Sequence, residues 1–185
     1  MARFKVYSST PYYERALSSR ASGADVDLDF LTERLDAASV GNIDGAVGVC
    51  VGSQDVLDTA VLESLAAQRC RLIAFRSAGF NNIDLEVAAN LGMTVVRVPA
   101  YSPYAVAEHA VALLLALARH LPQARDRVRS LDFSLDGLVG FDLHGRTVGV
   151  IGTGRIGRVM AGILKGFGMR VLASDPFPDV NWATA

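Results

Sequence analysis

The feature that most constrains this 185-residue sequence is a glycine-rich turn between a β-type run and a helical pattern. Thr147–Ile151 is apolar and rich in β-branched residues, and Gly152, Gly154 and Gly157 follow it in G-x-G-x-x-G order. In parallel α/β domains the first glycine makes the turn, the second lets the backbone approach a pyrophosphate, and the third allows tight packing of helix on strand. A lone motif of this kind is weakly diagnostic, so its surroundings decide the interpretation.

A helical pattern, a second strand and an acid complete the arrangement. The apolar residues that mark the helix, with its end at Gly166 or Gly168, are Ile156, Val159, Met160, Ile163 and Leu164. Arg170–Ala173 is a second β-type run, and Asp175 follows it, 175 − 154 = 21 residues after the second glycine of the motif. A carboxylate about 20 residues on is the usual partner of the adenine ribose hydroxyls. The segment therefore predicts the first βαβ part of a Rossmann domain that binds NAD.

The residues assigned to cofactor binding are Gly152, Gly154, Arg155, Ile156, Gly157 and Asp175. Arg155 in the first turn opposes the helix dipole by roughly 0.3–1 kcal/mol, and a bound pyrophosphate would reverse the sign of that effect. Pro176 and Phe177 follow the acid with no Arg or Lys nearby for a 2′-phosphate, which favours NAD over NADP. The alternatives are a solvated Arg155 paired with an acid, and a close-packed turn that binds no ligand.

The first hundred residues alternate β-type runs with helical patterns. The runs are Phe4–Ser8, Val26–Phe30, Ala46–Val51, Leu72–Phe75 and Thr94–Val98. They recur about every 20 to 25 residues, the spacing of βαβ units, because parallel strands need a long crossover. Helices between them are indicated by the stripe Leu57, Val61, Leu62 and Leu65 and by the segment from Asn82 to Gly92. We predict a doubly wound parallel, flavodoxin-like α/β domain over residues 1–99 and a partial NAD-binding domain over residues 100–185.

The composition argues against several classes of function. With 18 Lys and Arg against 19 Asp and Glu, the net charge is −1, which argues against a nucleic-acid partner. The longest apolar run, Ala110–Ala118, is shorter than the ~20 residues of a membrane helix. Cys50 and Cys70 form no metal or redox motif and fit two buried thiols in a reducing compartment. We expect a cytoplasmic protein with no signal peptide, no membrane partner and no metal.

Two apolar segments indicate a contact surface. Ser102 and Pro103 can begin a helix over Tyr104–His120, which is apolar nearly all round. Such a helix is buried against a second domain or another subunit. Phe133–Phe141 is a glycine-containing apolar segment that we expect to be a loop packed on a surface. The helix therefore packs on a second domain or on another subunit, and in the latter case we expect a homodimer, or a dimer with an intact paralogue, through residues 104–120.

Residues 72–117 and 133–157 resemble the NAD-dependent D-2-hydroxyacid dehydrogenases, and their D-lactate dehydrogenase branch in particular. The resemblance rests on Leu-Ile-Ala-Phe-Arg-Ser-Ala-Gly-Phe-Asn-Asn-Ile-Asp from residue 72, on Pro-Ala-Tyr-Ser-Pro from residue 99, and on the segment from Phe133 to the glycine turn. It spans nearly the whole chain. It implies a substrate domain into which a cofactor domain is inserted, and hydride transfer between NADH and pyruvate or a related 2-keto acid.

The resemblance also assigns substrate-binding residues. It implies that Arg76, Ser77, Ala78 and Gly79 form the loop that receives the substrate carboxylate through backbone N–H groups, and that Tyr101 lines the substrate pocket. From the residues alone, this loop follows a parallel strand, where such sheets bind ligands. The alternatives are an ordinary βα turn for the loop and a hinge aromatic for Tyr101.

None of the catalytic residues that the resemblance implies is matched in the sequence. In the family an arginine fixes the carboxylate, and a histidine oriented by a glutamate protonates the keto oxygen; all three lie beyond the second strand of the cofactor domain. His109 follows Glu108 on a helix, where adjacent positions point about 100° apart, so we expect no acid–histidine pair there. His120 and His144 match no catalytic position either.

We predict, by lineage, a D-lactate dehydrogenase-like oxidoreductase that is truncated before these three residues. We expect no catalysis by this chain alone. The alternative is a non-catalytic remnant that binds an intact dehydrogenase subunit, or only the ADP part of NAD.

Overall fold

The computed structural model describes residues 1–41 and 43–184. The chain forms two compact units, Met1–Tyr101 and a second unit that begins at Ser102. This division lies close to the boundary predicted between residues 99 and 100. The assignment of the first unit to substrate and of the second to cofactor stays a prediction.

The first unit contains a parallel sheet with helices between its strands. Its elements are β1 Ala2–Val6, α1 Pro11–Ala21, β2 Val26–Phe30, β3 Gly48–Val51, α2 Thr59–Ala67, β4 Leu72–Phe75, α3 Leu85–Asn90 and β5 Thr94–Val96. The strand order is β2-β1-β3-β4-β5, and every neighbouring pair is parallel. This is the doubly wound, flavodoxin-like order, so the predicted fold class is confirmed. Sheets of this order bind ligands beyond the carboxyl ends of the strands, at the switch point between β1 and β3.

The helices of this unit begin where the sequence supplies a cap. Thr10, Asp58 and Asp84 cap α1, α2 and α3, and each side chain accepts a hydrogen bond from a backbone N–H of the first turn. Gly92 follows α3 with φ +67°, a left-handed conformation that favours glycine. The helix expected to start at Asn82 thus starts after Asp84, because the Asn82 side chain is bound elsewhere.

Two strands of this unit end earlier than the sequence predicted. β1 ends at Val6 instead of Ser8, because Ser8 adopts φ +49°, in the left-handed region that breaks a strand. β5 ends at Val96 instead of Val98, since only one further backbone hydrogen bond continues its ladder with the chain after β4. Both early ends lie at the carboxyl edge of the sheet, where the chain leaves the regular ladder to build loops.

The second unit is built on one βαβ arrangement. Its elements are α4 Pro103–Ala118, α5 Leu121–Arg129, β6 Thr147–Ile151, α6 Arg155–Gly166, β7 Arg170–Ser174 and α7 Val180–Ala183. β6 and β7 are a parallel pair with α6 as their crossover, which is the first part of the Rossmann fold expected from the glycine turn. α4 packs on α6, and the small core of the unit includes Val111, Val150 and Leu164. Ser102 caps α4, and Pro103 is its first residue, as predicted.

The apolar segments of this unit are more exposed than predicted. Part of α4 is buried, but Leu113 and Leu117 are 53% and 71% exposed. Phe133, Leu135 and Val139 are 72%, 77% and 87% exposed, so these three side chains do not pack on the described part of the chain as expected. The end of the segment does contact α4, since the Phe141 N–H donates to the carbonyl oxygen of Ala118 at 3.1 Å. Among residues 1–41 and 43–184, no single helix is long and apolar enough to cross a membrane. α4 and α5, which are bent by 61° relative to each other, reach the required length and hydrophobicity only when they are taken together.

Candidate functional site

A buried carboxylate joins the segments at the switch point of the first sheet. Asp55 is 1% exposed and accepts hydrogen bonds from the Ser8 hydroxyl (2.7 Å) and from the backbone N–H groups of Leu35 (2.8 Å) and Gly52 (2.6 Å). These donors satisfy the buried acceptor and fix the backbone that follows β1 and β3. Sequence reasoning missed Asp55 because two of its partners lie 47 and 20 residues away in the chain.

The loop after β4 presents free donors at the same edge. The backbone N–H groups of Ser77, Ala78 and Gly79 have no acceptor among the described residues. Free N–H groups at the end of a parallel strand can receive an anion such as a carboxylate. A Cβ at Gly79 would meet nothing within 4 Å, so a ligand can approach the backbone there.

The carbonyl groups of this loop are occupied by protein donors. Arg97 donates from Nη1 to the carbonyl oxygen of Ala78 at 3.0 Å, and its guanidinium lies 4.9 Å from the ring centroid of Phe80. The Ser77 hydroxyl donates to the carbonyl oxygen of Gly79 at 2.8 Å. The loop is therefore held through its oxygen atoms, which leaves its N–H groups for a ligand.

Arg76 contributes differently from the three residues after it. Its backbone N–H donates to the carbonyl oxygen of Val51 at 2.9 Å and is not free. Its Nη2 donates to the carbonyl oxygens of Tyr7 (2.7 Å) and Ser8 (3.4 Å), and its guanidinium lies 4.5 Å from the ring centroid of Tyr13. Nε and Nη1 are buried without a hydrogen-bond partner in the described structure. The side chain thus holds the segment after β1 against the loop.

Tyr101 is not brought against the loop. Its side chain is exposed, and no hydrogen bond or ring contact links it to another described residue. Tyr101 comes three residues after Val98, which is bound to the loop: the Val98 N–H donates to the carbonyl oxygen of Ser77 at 3.3 Å. The substrate role of Tyr101 stays a prediction.

The glycine turn of the second unit leaves its backbone donors open. Gly152 has φ +91°, and a Cβ at Gly152 or Gly154 would meet nothing within 4 Å, so the space in front of the turn is open. The N–H groups of Gly154, Arg155 and Ile156 have no acceptor among the described residues, and Gly154 caps α6 without a side-chain hydrogen bond. These donors and the positive end of α6 can receive a pyrophosphate.

The structure shows why the third position of the motif is a glycine and whether Arg155 is paired with an acid. A Cβ at Gly157 would collide with the carbonyl oxygen of Gly152, so the third glycine is required by the contact between helix and turn. Arg155 is exposed and forms no ion pair with another described residue. Its charge at the start of α6 is therefore not compensated by a nearby acid, which favours the anion-binding interpretation over the paired arginine.

Asp175 folds back onto the turn. Its Oδ2 accepts hydrogen bonds from the backbone N–H (2.6 Å) and hydroxyl (3.0 Å) of Thr153, and its Oδ1 accepts one from the N–H of Phe177 (2.9 Å). These hydrogen bonds, the one from the Thr153 backbone first, hold the pKa of the carboxyl below its ordinary value. A carboxylate has about four acceptor positions, so Asp175 can still accept from a ribose hydroxyl.

A cation also lies near Asp175, which the sequence did not predict. Arg158 of α6 donates from Nε to the carbonyl oxygen of Thr153 at 2.8 Å and pairs through Nη2 with Asp179 at 2.9 Å. Its guanidinium lies 5.3 Å from the ring centroid of Trp182. One residue, Thr153, thus links the acid, through its N–H, to the arginine, through its carbonyl oxygen. Local spacing could not reveal this contact, because it joins a helix to the segment after β7.

An open cavity of about 600 Å³ faces the turn. One side is lined by Val106, Ala107 and Ala110 of α4, and the other by the end of β6 and the glycine turn. Apolar walls with a few converging polar groups are typical of cofactor sites. The residues present therefore fit the diphosphate part of a dinucleotide.

The histidines and cysteines form no reactive group in the described part of the chain. None of its carboxylates forms an ion pair with His109, His120 or His144. Burial raises the pKa of the Cys50 and Cys70 thiols, so neither is an activated nucleophile. Cys70 is buried, whereas Cys50 is only partly so. Residues 1–41 and 43–184 contain no group of three or more His, Cys, Asp or Glu that could hold a metal.

The chain has a parallel α/β fold and a Rossmann-type glycine turn, and comparison with known proteins identifies the family. The family described as D-isomer specific 2-hydroxyacid dehydrogenase, catalytic domain, matches residues 6–185. D-lactate dehydrogenase of Escherichia coli is 45% identical over 176 residues, which cover 95% of this chain and 54% of that protein. The chain belongs to the D-isomer specific 2-hydroxyacid dehydrogenase family, in its D-lactate dehydrogenase branch.

Solved structures agree with this assignment. The apo-structure of D-lactate dehydrogenase from Escherichia coli aligns with a TM-score of 0.85 at 43% identity and covers 98% of this chain and 58% of that chain. D-lactate dehydrogenase from Aquifex aeolicus, complexed with NAD and lactic acid, aligns with a TM-score of 0.79 at 34% identity, over 98% and 54% of the two chains. The family resemblance predicted from the sequence is confirmed. The chain spans about half the length of the curated relatives it matches.

Proposed function

We propose that this chain provides the substrate-carboxylate loop and the ADP-binding part of the NAD site of a D-lactate dehydrogenase-type oxidoreductase. The reaction is hydride transfer between NADH and pyruvate or a related 2-keto acid, and NAD supplies the hydride chemistry when bound. The observation that carries the proposal is the open glycine turn with Asp175 bound back to it. The family membership makes a dinucleotide the matching ligand.

In the proposed NAD site, backbone N–H groups bind the cofactor more than side chains do. The N–H groups of Gly154, Arg155 and Ile156 bind the pyrophosphate, and the Arg155 guanidinium adds positive charge beside it. Asp175 accepts hydrogen bonds from the adenine ribose hydroxyls. Because Asp175 is ionised, it also repels a 2′-phosphate, which supports NAD over NADP.

The substrate end of the proposal rests on the loop after β4. Its free N–H groups at Ser77, Ala78 and Gly79 receive the carboxylate, and Arg76 and Arg97 hold the loop in place through carbonyl contacts. Tyr101 lines the pocket for the rest of the substrate. The first unit is thus the substrate domain, 1–99, and the second the start of the cofactor domain, 100–185. We assign proton transfer to no residue of this chain.

Cofactor binding and turnover are tested separately on the purified chain. Gly154→Val fills the space in front of the turn and Asp175→Ala removes the ribose partner, so each should weaken NADH binding by about tenfold or more in a calorimetric titration. Gly162→Ala, on the exposed side of α6 with open space around it, is the matched control and should leave the affinity unchanged. Unchanged affinity in both test variants would exclude the proposed site.

Turnover is measured as NADH oxidation with pyruvate, after the intact mass of the chain has been verified. The proposal expects no turnover above a blank without enzyme. Turnover that is lost in Asp175→Ala would show that a proton donor lies within these 185 residues, contrary to the assignment above.

A second candidate function, a non-catalytic module that pairs with another subunit, is favoured by the apolar surface of the second unit. The exposed residues of this surface are Tyr104, Val106, Leu113, Leu117, Phe133, Leu135 and Val139. Large exposed apolar patches mark interaction sites. We propose a homodimer, or a dimer with an intact dehydrogenase subunit, through residues 104–120. We place both functions in the cytoplasm, where the free thiols of Cys50 and Cys70 stay reduced.

The pairing is tested by co-expression with a full-length paralogue, followed by pull-down and size-exclusion chromatography. Co-elution that is lost in Leu117→Glu supports the apolar surface as the contact. Monomeric elution of the wild-type chain, alone and with the paralogue, would exclude this second function.

A further inference from the structure

The contacts of Arg158 indicate a second determinant of cofactor choice besides Asp175, an inference that rests on the proposed function. Asp175 accepts from the N–H of Thr153 at 2.6 Å, and Arg158 donates to the carbonyl oxygen of the same residue at 2.8 Å. The acid and the guanidinium therefore lie at one end of the glycine turn. A ribose bound at Asp175 would have this guanidinium as a close neighbour.

An arginine in this place has the chemistry of a receptor for a 2′-phosphate. A guanidinium carries five N–H donors in a planar fork that matches phosphate oxygens. In Rossmann domains that bind NADP, an arginine near this position accommodates the phosphate. Here, however, Nε is bound to Thr153 and Nη2 to Asp179 at 2.9 Å, and Trp182 lies 5.3 Å from the guanidinium.

We propose that Asp179 and Trp182 sequester Arg158, so that the preference for NAD over NADP depends on two carboxylates instead of one. Asp175 repels a 2′-phosphate directly, whereas Asp179 withholds the guanidinium that would bind it. Neutralising Asp175 alone removes only the repulsion. Neutralising both acids releases Arg158 and creates a phosphate site that the wild-type chain holds closed.

A purely structural role for Arg158 makes a different prediction. If its contacts only fasten α7 to the turn, then neutralising Asp179 lowers the stability of the second unit and leaves nucleotide discrimination unchanged. The ratio of the affinities for 2′,5′-ADP and 5′-ADP separates the two, because general damage to the turn weakens both nucleotides together.

The experiment measures this ratio by calorimetry for the wild-type chain, Asp175→Asn, Asp179→Asn, the double variant, and the double variant with Arg158→Gln. Asparagine keeps the shape of both acids, and at residue 179 it can still cap α7, where the present acid accepts from the N–H of Trp182 at 3.1 Å. The double variant should bind 2′,5′-ADP, relative to 5′-ADP, about tenfold better than Asp175→Asn, and Arg158→Gln should abolish this gain.

Asp142→Asn is the matched control, because Asp142 pairs with Arg119 at 3.2 Å elsewhere in the second unit, and its ratio should equal that of the wild type. Asp179→Ser, which can also cap α7, repeats the charge removal with a different side chain if the asparagine variant fails to fold. Equal ratios in Asp175→Asn and the double variant, or a gain that survives Arg158→Gln, overturn the inference and leave the proposed NAD site intact. Failure of the wild-type chain to bind 5′-ADP overturns the proposed function and the inference with it.

Discussion

Replacing Gly157 by alanine tests the contact between helix and turn on which the proposed NAD site depends. The added Cβ would collide with the carbonyl oxygen of Gly152 and lie 3.5 Å from Cγ1 of Val150. Alanine is otherwise favoured over glycine inside a helix by about 1 kcal/mol. Overpacking costs about 1–3 kcal/mol, and here the opposing atom belongs to the backbone and cannot rotate away. The upper part of that range therefore applies, and after the helix gain is subtracted we expect the free energy of unfolding of the second unit to fall by roughly 1–2 kcal/mol.

Two other glycines of the same segment provide matched controls, because a Cβ at either meets nothing within 4 Å. Gly162→Ala lies in the exposed middle of α6 and should raise stability by about 0.5–1 kcal/mol. Gly154→Ala exchanges a glycine N-cap for a poorer one and should cost less than about 1 kcal/mol. Its Cβ projects into the proposed pyrophosphate position, so NADH affinity should fall although the fold persists.

Urea unfolding followed by the fluorescence of Trp182, the single tryptophan, measures these effects in the second unit. Its ring lies near the Arg158 guanidinium of α6, so unfolding of this unit changes its surroundings. The expected order of stability is Gly162→Ala, wild type, Gly154→Ala and Gly157→Ala. A Gly157→Ala chain at least as stable as the wild type would refute the close contact. An unchanged NADH affinity in Gly154→Ala would remove the turn from the cofactor site.

Three further predictions concern a buried acid, a titrating acid and the apolar surface. Asp55→Ala leaves three buried donors without an acceptor, at about 1–3 kcal/mol each, and should lower the unfolding free energy of the first unit by at least about 3 kcal/mol, measured by circular dichroism in urea. Folding lowers the pKa of Asp175 below its ordinary 3.8, so the ionised carboxylate stabilises the folded state above pH 3.8. This stabilisation is lost as the pH falls through the folded pKa, and the urea midpoints of the wild type and Asp175→Asn should converge over that pH range. Leu117→Glu, on a side chain 71% exposed, should change stability by less than about 0.5 kcal/mol and abolish self-association in light scattering.

Local patterns predicted the strands well where the strand ends are set locally. Val26–Phe30, Leu72–Phe75 and Thr147–Ile151 are strands with the predicted bounds, because each is an apolar or alternating run that begins directly after a charged residue. The end of β1 is not set locally. It depends on the left-handed backbone of Ser8, whose hydroxyl is held by Asp55, 47 residues further on.

The helices that the sequence did not predict share a physical property. α1, α5 and the short α7 have no buried residue, so they lack the apolar stripe from which a helix is recognised. α1 nevertheless carries Tyr13, which packs on the guanidinium of Arg76. A segment can therefore belong to a site through one side chain while its overall pattern indicates only solvent exposure.

The candidate site divides in the same way. The glycine turn and its acid follow a fixed spacing along one βαβ unit, so the sequence alone brings them together. Arg97 and Arg158 act through carbonyl oxygens of Ala78 and Thr153, and no spacing rule describes a side chain that binds a distant backbone oxygen. These arginines were found only from the structure.

Thr153 decides how the effect of an Asp175 substitution should be interpreted. It is 6% exposed, and its N–H and hydroxyl both bind Asp175, while its carbonyl oxygen binds Arg158. Asp175→Ala thus removes the proposed ribose partner and also loosens the turn. Thr153→Val removes only the hydroxyl contact, at about 1 kcal/mol, and keeps the carboxylate. If Asp175 acts mainly on the ribose, Thr153→Val should retain most of the NADH affinity that Asp175→Ala loses. Equal losses in a calorimetric titration would instead show that the acid acts mainly by holding the turn.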